Sequence, residues 1–181
     1  SEVLAWFEKN PPVNGGGRIA QISALETLGR TKEAQAAARA AWREANFTEG
    51  EERDFLSRFR KYLTHDDHAA RLDRLIWDGR VFDARRLLRL VVPDMQALAN
   101  ARLALRRLDP GVDSLLKRVP ASLQNDPGLQ YERLRWRRIK GRDFEAREIL
   151  EHPPANLVRP ELWWDERAVE VRRALANGEA S

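Results

Sequence analysis

At 181 residues, with 43% apolar and 33% charged side chains, the chain is long enough for a sizeable core and too apolar to be disordered. Charged residues interrupt every apolar run, so no stretch approaches the roughly 20 residues of a membrane-spanning helix, and no membrane span is expected. The absence of cysteine removes disulfides, thiol catalysis and cysteine-based zinc sites. A net charge of +4, carried mainly by arginine, favours anionic partners; dense charge of both signs reads first as a solvated helical surface laced with ion pairs.

Apolar spacings of three and four dominate and strand-like alternation is absent, so the sequence predicts an all-α fold of roughly 10 short helices. A first helix runs through Trp6 and Phe7. The segment near 10–17, with Pro11-Pro12 and Gly15-Gly-Gly17, reads as a loop, because it joins missing amide donors to maximal backbone freedom. Arg18 to Leu28 is the next helix, ended by Gly29, and Thr31 is expected to cap an Ala-rich helix to about Asn46, the two forming a hairpin. Thr48 with Glu51, and Thr64 with Asp67, are capping boxes for helices reaching about Leu63 and Gly79. Further helices are expected from Phe82, from Met95 to Leu108, from Val112 to Val119, from Pro127 to Lys140 with Asp126 as its cap, and from Asp143. Prolines make 152–160 a loop before the last helix.

A hinge recurs in this series: Gly29-Arg30 before Glu33-Ala34, Gly79-Arg80 before Asp83-Ala84, and Gly141-Arg142 before Glu145-Ala146. Glycine allows a left-handed helix end, the acid suits the following N-terminus, and alanine permits close helix crossing. Such hairpins cannot bury their apolar faces alone. The sequence therefore predicts one domain over 1–181, a right-handed α-superhelix of stacked hairpins.

Chemistry-bearing motifs are sparse. His65-Asp-Asp-His68 has helical spacing that a metal could use, but it reads better as acids at a helix N-terminus with locally hydrogen-bonded histidines, so no metal is expected. The triple glycine lacks the Lys-Ser or Lys-Thr of a phosphate loop, and Glu51-Glu52 reads as capping and solvation. No cofactor is expected and no catalytic residue is assigned. The strongest basic patch is Tyr131 to Arg142, from which Arg133, Arg137, Lys140 and Arg142 are the candidate ligand-binding residues; pairing with neighbouring acids is the competing reading. Trp77, Trp136 and the pair Trp163-Trp164 sit where helices should interlock, which points to packing rather than carbohydrate stacking.

Leu63-Thr-His-Asp-Asp-His68, Arg71-Leu-Asp-Arg-Leu-Ile-Trp77-Asp-Gly-Arg80 and Ala84-Arg-Arg-Leu-Leu88 resemble the soluble lytic murein transglycosylases. In the same order, Leu98-Ala-Asn-Ala-Arg-Leu-Ala-Leu-Arg106, Val119-Pro-Ala-Ser-Leu123, Asp126-Pro-Gly-Leu-Gln-Tyr-Glu-Arg133, Arg135-Trp-Arg-Arg138 and Arg159-Pro-Glu-Leu-Trp-Trp164 extend the resemblance over almost the whole chain. The resemblance implies a periplasmic, U-shaped or ring-like helical superhelix that precedes a lysozyme-like domain. In that family the lysozyme-like domain cleaves peptidoglycan between N-acetylmuramic acid and N-acetylglucosamine, using the glutamate of a Glu-Ser motif as acid and base. No Glu-Ser pair occurs here, so the chain is expected to be a non-catalytic arm whose partners are peptidoglycan and the catalytic domain of the same polypeptide. Two other readings stay open: a stand-alone interaction scaffold, and nucleic-acid binding through the Arg-rich helix. Self-association through the Trp163-Trp164 end is also expected.

Overall fold

A computed structural model describes residues 2–176 and Gly178. Among them the chain is all-helical, with eleven α-helices, three short 3-10 turns and no strand. Where the sequence reads as one domain over 1–181, the packing divides the chain into two compact units, Ser1–Val92 and Pro93–Ser181.

The first unit contains α1 (Glu2–Lys9), α2 (Gly15–Thr27), α3 (Thr31–Glu44), α4 (Glu49–Phe59), α5 (His65–Trp77) and α6 (Val81–Leu87), with 3-10 turns closing α4 and α6. Helix α2 packs on α1 and α3, and α5 packs on α3 and α6. Its core is aromatic: Trp42 stacks on Phe55 at 5.3 Å, and Phe55 meets Phe59 edge-on at 5.2 Å, over Ile22, Leu72, Leu75 and Ile76. The second unit contains α7 (Pro93–Arg107), α8 (Val112–Leu116), α9 (Pro127–Ile139), α10 (Asp143–Glu151) and α11 (Pro160–Ala176). Helix α7 packs on α8 and α9, and α9 on α10, around Leu98, Ala101, Leu105, Val112, Val119 and Leu129.

The three glycine hinges are three copies of one geometry. Gly29, Gly79 and Gly141 have φ of 70°, 72° and 70°. At each, the following arginine amide reaches back five residues, to the carbonyls of Leu25, Leu75 and Arg137, which is the hydrogen bond of a Schellman helix end. The alanines five residues after each glycine, Ala34, Ala84 and Ala146, are fully buried at the helix contact. Arg30 and Arg80 then bridge to Glu33 and Asp83 across the new helix's first turn.

Both capping boxes form, on Thr48 with Glu51 and on Thr64 with Asp67. Two expectations about helix starts do not hold. The glycines at 15–17 are not loop but the first turn of α2: Asn14 accepts the Gly17 amide, and Gly15 is buried where a Cβ would stand 2.4 Å from the Phe47 ring. A first turn needs no intrahelical amide partners, so flexible residues are tolerated there when a cap and a close contact fix them. Thr31 is not a cap either; Arg30 holds that position without a side-chain bond, because the glycine hinge already sets the helix entry.

The arginines act largely as fasteners between helices. Arg71 and Arg74 of α5 donate to the last carbonyls of α3, at Trp42, Arg43 and Ala45. Arg135 of α9 does the same for Arg106 at the end of α7, and Arg167 of α11 for Leu150 at the end of α10. Helix C-termini expose unpaired carbonyls and negative dipole charge, which a guanidinium fork answers on both counts. In the reverse direction Arg39 and Arg43 of α3 grip Asp67 of α5, and Arg106 of α7 grips Glu132 of α9.

Candidate functional site

Helix α9 opens with Asp126 accepting the Leu129 amide and Pro127 in the first turn. Leu129, Tyr131 and Leu134 turn inward, and Tyr131 lies 5.7 Å from the Trp163 ring of α11. That burial fixes the rotation of the helix and places Arg133 and Arg137, one turn apart, on a single face.

Both arginines line an open cleft of about 560 Å³, bounded by α9, α10 and the chain after α10, and completed by Asn125, Gln130, Glu148 and His152 with the Pro153-Pro154 pair as one wall. Arg137 Nη1 donates to the Glu145 carbonyl at 2.8 Å and stands 3.9 Å from the largely exposed Glu148 carboxylate. The half-buried Arg133 guanidinium makes no hydrogen bond or close ion pair among the described residues. Burial pushes its pKa down and the neighbouring Arg137 adds to this, against a smaller opposing pull from Glu148. Like charges one helical turn apart repel by about 0.2–0.5 kcal/mol on an exposed helix, so an anion in the cleft would relieve a standing repulsion.

The four candidate residues do not converge. Arg133 and Arg137 share the cleft, whereas Lys140 is the exposed C-terminal cap of α9 and does not line it. Arg142 lies over the Trp136 ring at 5.1 Å, so packing occupies its guanidinium. Elsewhere on α9, Arg135 is bonded to the Arg106 carbonyl and Arg138 clamps Glu166 with two hydrogen bonds. Sequence reasoning passes over Gln130 and His152. Gln130, three residues before Arg133, has a spacing that could have signalled it, but His152 reaches the cleft through the fold of a proline loop that has no periodicity.

The other motifs resolve as structure. Asp67 is fully buried: burial pushes its carboxyl up, yet the Thr64 amide and hydroxyl with Arg39 and Arg43 outweigh that and hold it below the usual carboxylate range. His68 does not hydrogen-bond locally at Nδ1, which has no partner; the ring is buried edge-on against Trp42 at 5.6 Å. Among the described residues no group of three or more acids and histidines could hold a metal ion. Glu52 is not solvated but buried between Arg71 and Arg86. Arg71, also stacked 4.4 Å from the Trp42 ring, is pushed down by burial to about 10 despite the Glu52 carboxylate. Trp77 and Trp163 are packed and Trp136 is partly buried, but Trp164 is 70% exposed, which corrects the reading of the Trp163-Trp164 pair as a unit. Comparison of the chain with protein-family models, curated proteins and solved structures finds no match.

Proposed function

We propose that the chain is the non-catalytic helical arm of a periplasmic peptidoglycan lytic transglycosylase, a superhelix that carries a catalytic domain and contacts the cell wall through the Arg133–Arg137 cleft. The ordered motif resemblance supplies the family, and the repeated glycine-hinged hairpins accord with a helical-repeat arm. The observation that carries the binding role is the half-buried, unpaired Arg133 guanidinium beside Arg137 in an open cleft. Such a cleft suits the carboxylates of peptide stems better than neutral sugars, because it offers fixed positive charge and few flat aromatic faces. Co-sedimentation with purified sacculi tests this. Binding should fall at least tenfold in an Arg133→Glu/Arg137→Glu variant that keeps wild-type helicity, and absence of binding by the wild-type chain would overturn the reading.

A second reading, an interaction scaffold for a helix or peptide, draws on an exposed apolar stripe of α11. Trp164, Val171 and Leu175 recur at helical spacing, and the first two line a groove of about 590 Å³ with Leu150. The nucleic-acid reading loses ground on α9 itself, where Arg135, Arg137 and Arg138 are held by protein oxygens rather than presented as a phosphate-tracking row.

A further inference from the structure

The first unit holds a second basic cleft, of about 280 Å³, lined by Arg60, Thr64, His65, His68 and Arg89 together with two leucines. No carboxylate lines it. Of the two acids in the first turn of α5, Asp67 is committed to Thr64, Arg39 and Arg43, and Asp66 does not line the cleft. The side chains of Arg60, His65 and Arg89 make no hydrogen bond or ion pair among the described residues. The cleft opens at the N-terminus of α5, a 13-residue helix whose first residue is His65, so the backbone dipole adds positive potential to the same place. Independently, His68 is 94% buried by its 6% exposure, lines the cleft, and has a ring nitrogen, Nδ1, with no partner. A buried ring nitrogen without a partner is unfavourable, and the enclosed Nδ1 leaves the rest of the ring as the part that meets the cleft.

We propose that this cleft is an oxyanion site for a phosphate group, free or as a monoester, gripped by the guanidinium forks of Arg60 and Arg89 with His65 and His68 as further donors. Two forks and two imidazoles provide more donors than one carboxylate can accept, and match a tetrahedral oxyanion presenting three or four oxygens. The cleft also leaves room beside the oxyanion for an ester group. Binding should depend on pH through His68. Burial pushes its pKa down, His65, Arg60 and Arg71 push the same way, and Asp67 opposes them; Arg89 is the other cation of the lining. A bound dianion favours the imidazolium, so affinity rises as pH falls through the histidine range.

The test is titration of the full chain with inorganic sulfate, inorganic phosphate, phenyl phosphate and acetate, following the His68 imidazole proton by NMR. Sulfate keeps its charge across pH 5 to 8, so its pH dependence belongs to the protein. Saturable sulfate and phosphate binding that raises the apparent pKa of His68, and that weakens at least tenfold in Arg60→Gln/Arg89→Gln, is the expected result. Both arginines are exposed, so the double variant should fold, and Arg53→Gln on the exposed face of α4 is the matched control. Tighter binding of phenyl phosphate assigns the site to a monoester, and equal binding to the free ion. Acetate binding as tightly as phosphate, an unmoved His68 resonance, or equal loss in Arg53→Gln overturns the proposal.

Discussion

Gly128 shows how one residue can be set by a neighbour distant in sequence. It lies in the first turn of α9, and a Cβ there would stand 2.1 Å from Cζ of Arg102, a guanidinium buried to 2% exposure. Gly128→Ala should therefore destabilise the second unit by about 1–3 kcal/mol, the usual cost of overpacking a filled core, measured by urea denaturation; an unchanged midpoint would mean that Arg102 can move aside. Asp67 makes the same point with charge. Asp67→Asn removes the buried negative charge that two arginines grip and replaces one of the two acceptor oxygens shared by those arginines and the capping box with a donor, and should cost about 3–5 kcal/mol, as breaking one partner of a buried pair does. The capping role of Asp67 is legible from Thr64 three residues earlier. The grip of Arg39 and Arg43 is not, because it depends on how α3 and α5 cross.

Among the elements, the glycine hinge is the feature most fully legible in the sequence, and it separates backbone strain from steric crowding. A Cβ at Gly29 or Gly141 meets nothing within 4 Å, yet both residues have positive φ. Alanine at either should cost about 1–2 kcal/mol through the left-handed backbone alone, whereas Gly50→Ala, in the helical and equally open first turn of α4, should be neutral or gain up to about 1 kcal/mol. Thermal melts of the three variants give the answer, and equal effects would refute the distinction. The end of α7 shows the limit of the glycine signal. Leu108 has φ 61°, and the Asp109 amide reaches back to Ala104, the same helix ending without a glycine to announce it. The first turn of α2 is the converse, glycines that look like a loop and are helical because Asn14 and Phe47 fix them.

For the whole molecule, the buried acids give the two units opposite responses to acid. The folded-state pKa of Asp67 is depressed, so its stabilisation is present above the unfolded value, about 3.9, and is lost as pH falls through the folded value. Glu132 is raised by burial, against the pull of Arg106 and Arg102. Between about 4.3, its unfolded value, and its raised folded value the native state holds more protons, so stability there declines as pH rises. Acidifying from pH 7 to 4 should raise amide-exchange protection, taken relative to the intrinsic rate at each pH, in α7 and α9, and further acidification should lower it first in α3 and α5; parallel loss of protection in both units would contradict this. The exposed stripe on α11 leads to a further expectation, self-association that rises with concentration in light scattering and falls in Trp164→Ser.

The sequence by itself determined the helical class, most helix ends and the three hinges, because caps, glycines and apolar spacing act within a few residues of where they are written. It also marked the basic stretch of α9 as a candidate surface. Only the tertiary structure decided which arginines remain available. Arg135, Arg138 and Arg142 look equivalent to Arg133 in a linear reading, but packing gives the first a helix-end carbonyl, the second a buried glutamate and the third an indole face. Arg133 is left facing the cleft. Charge is written in the sequence, whereas its compensation depends on distances between helices that only the folded chain sets.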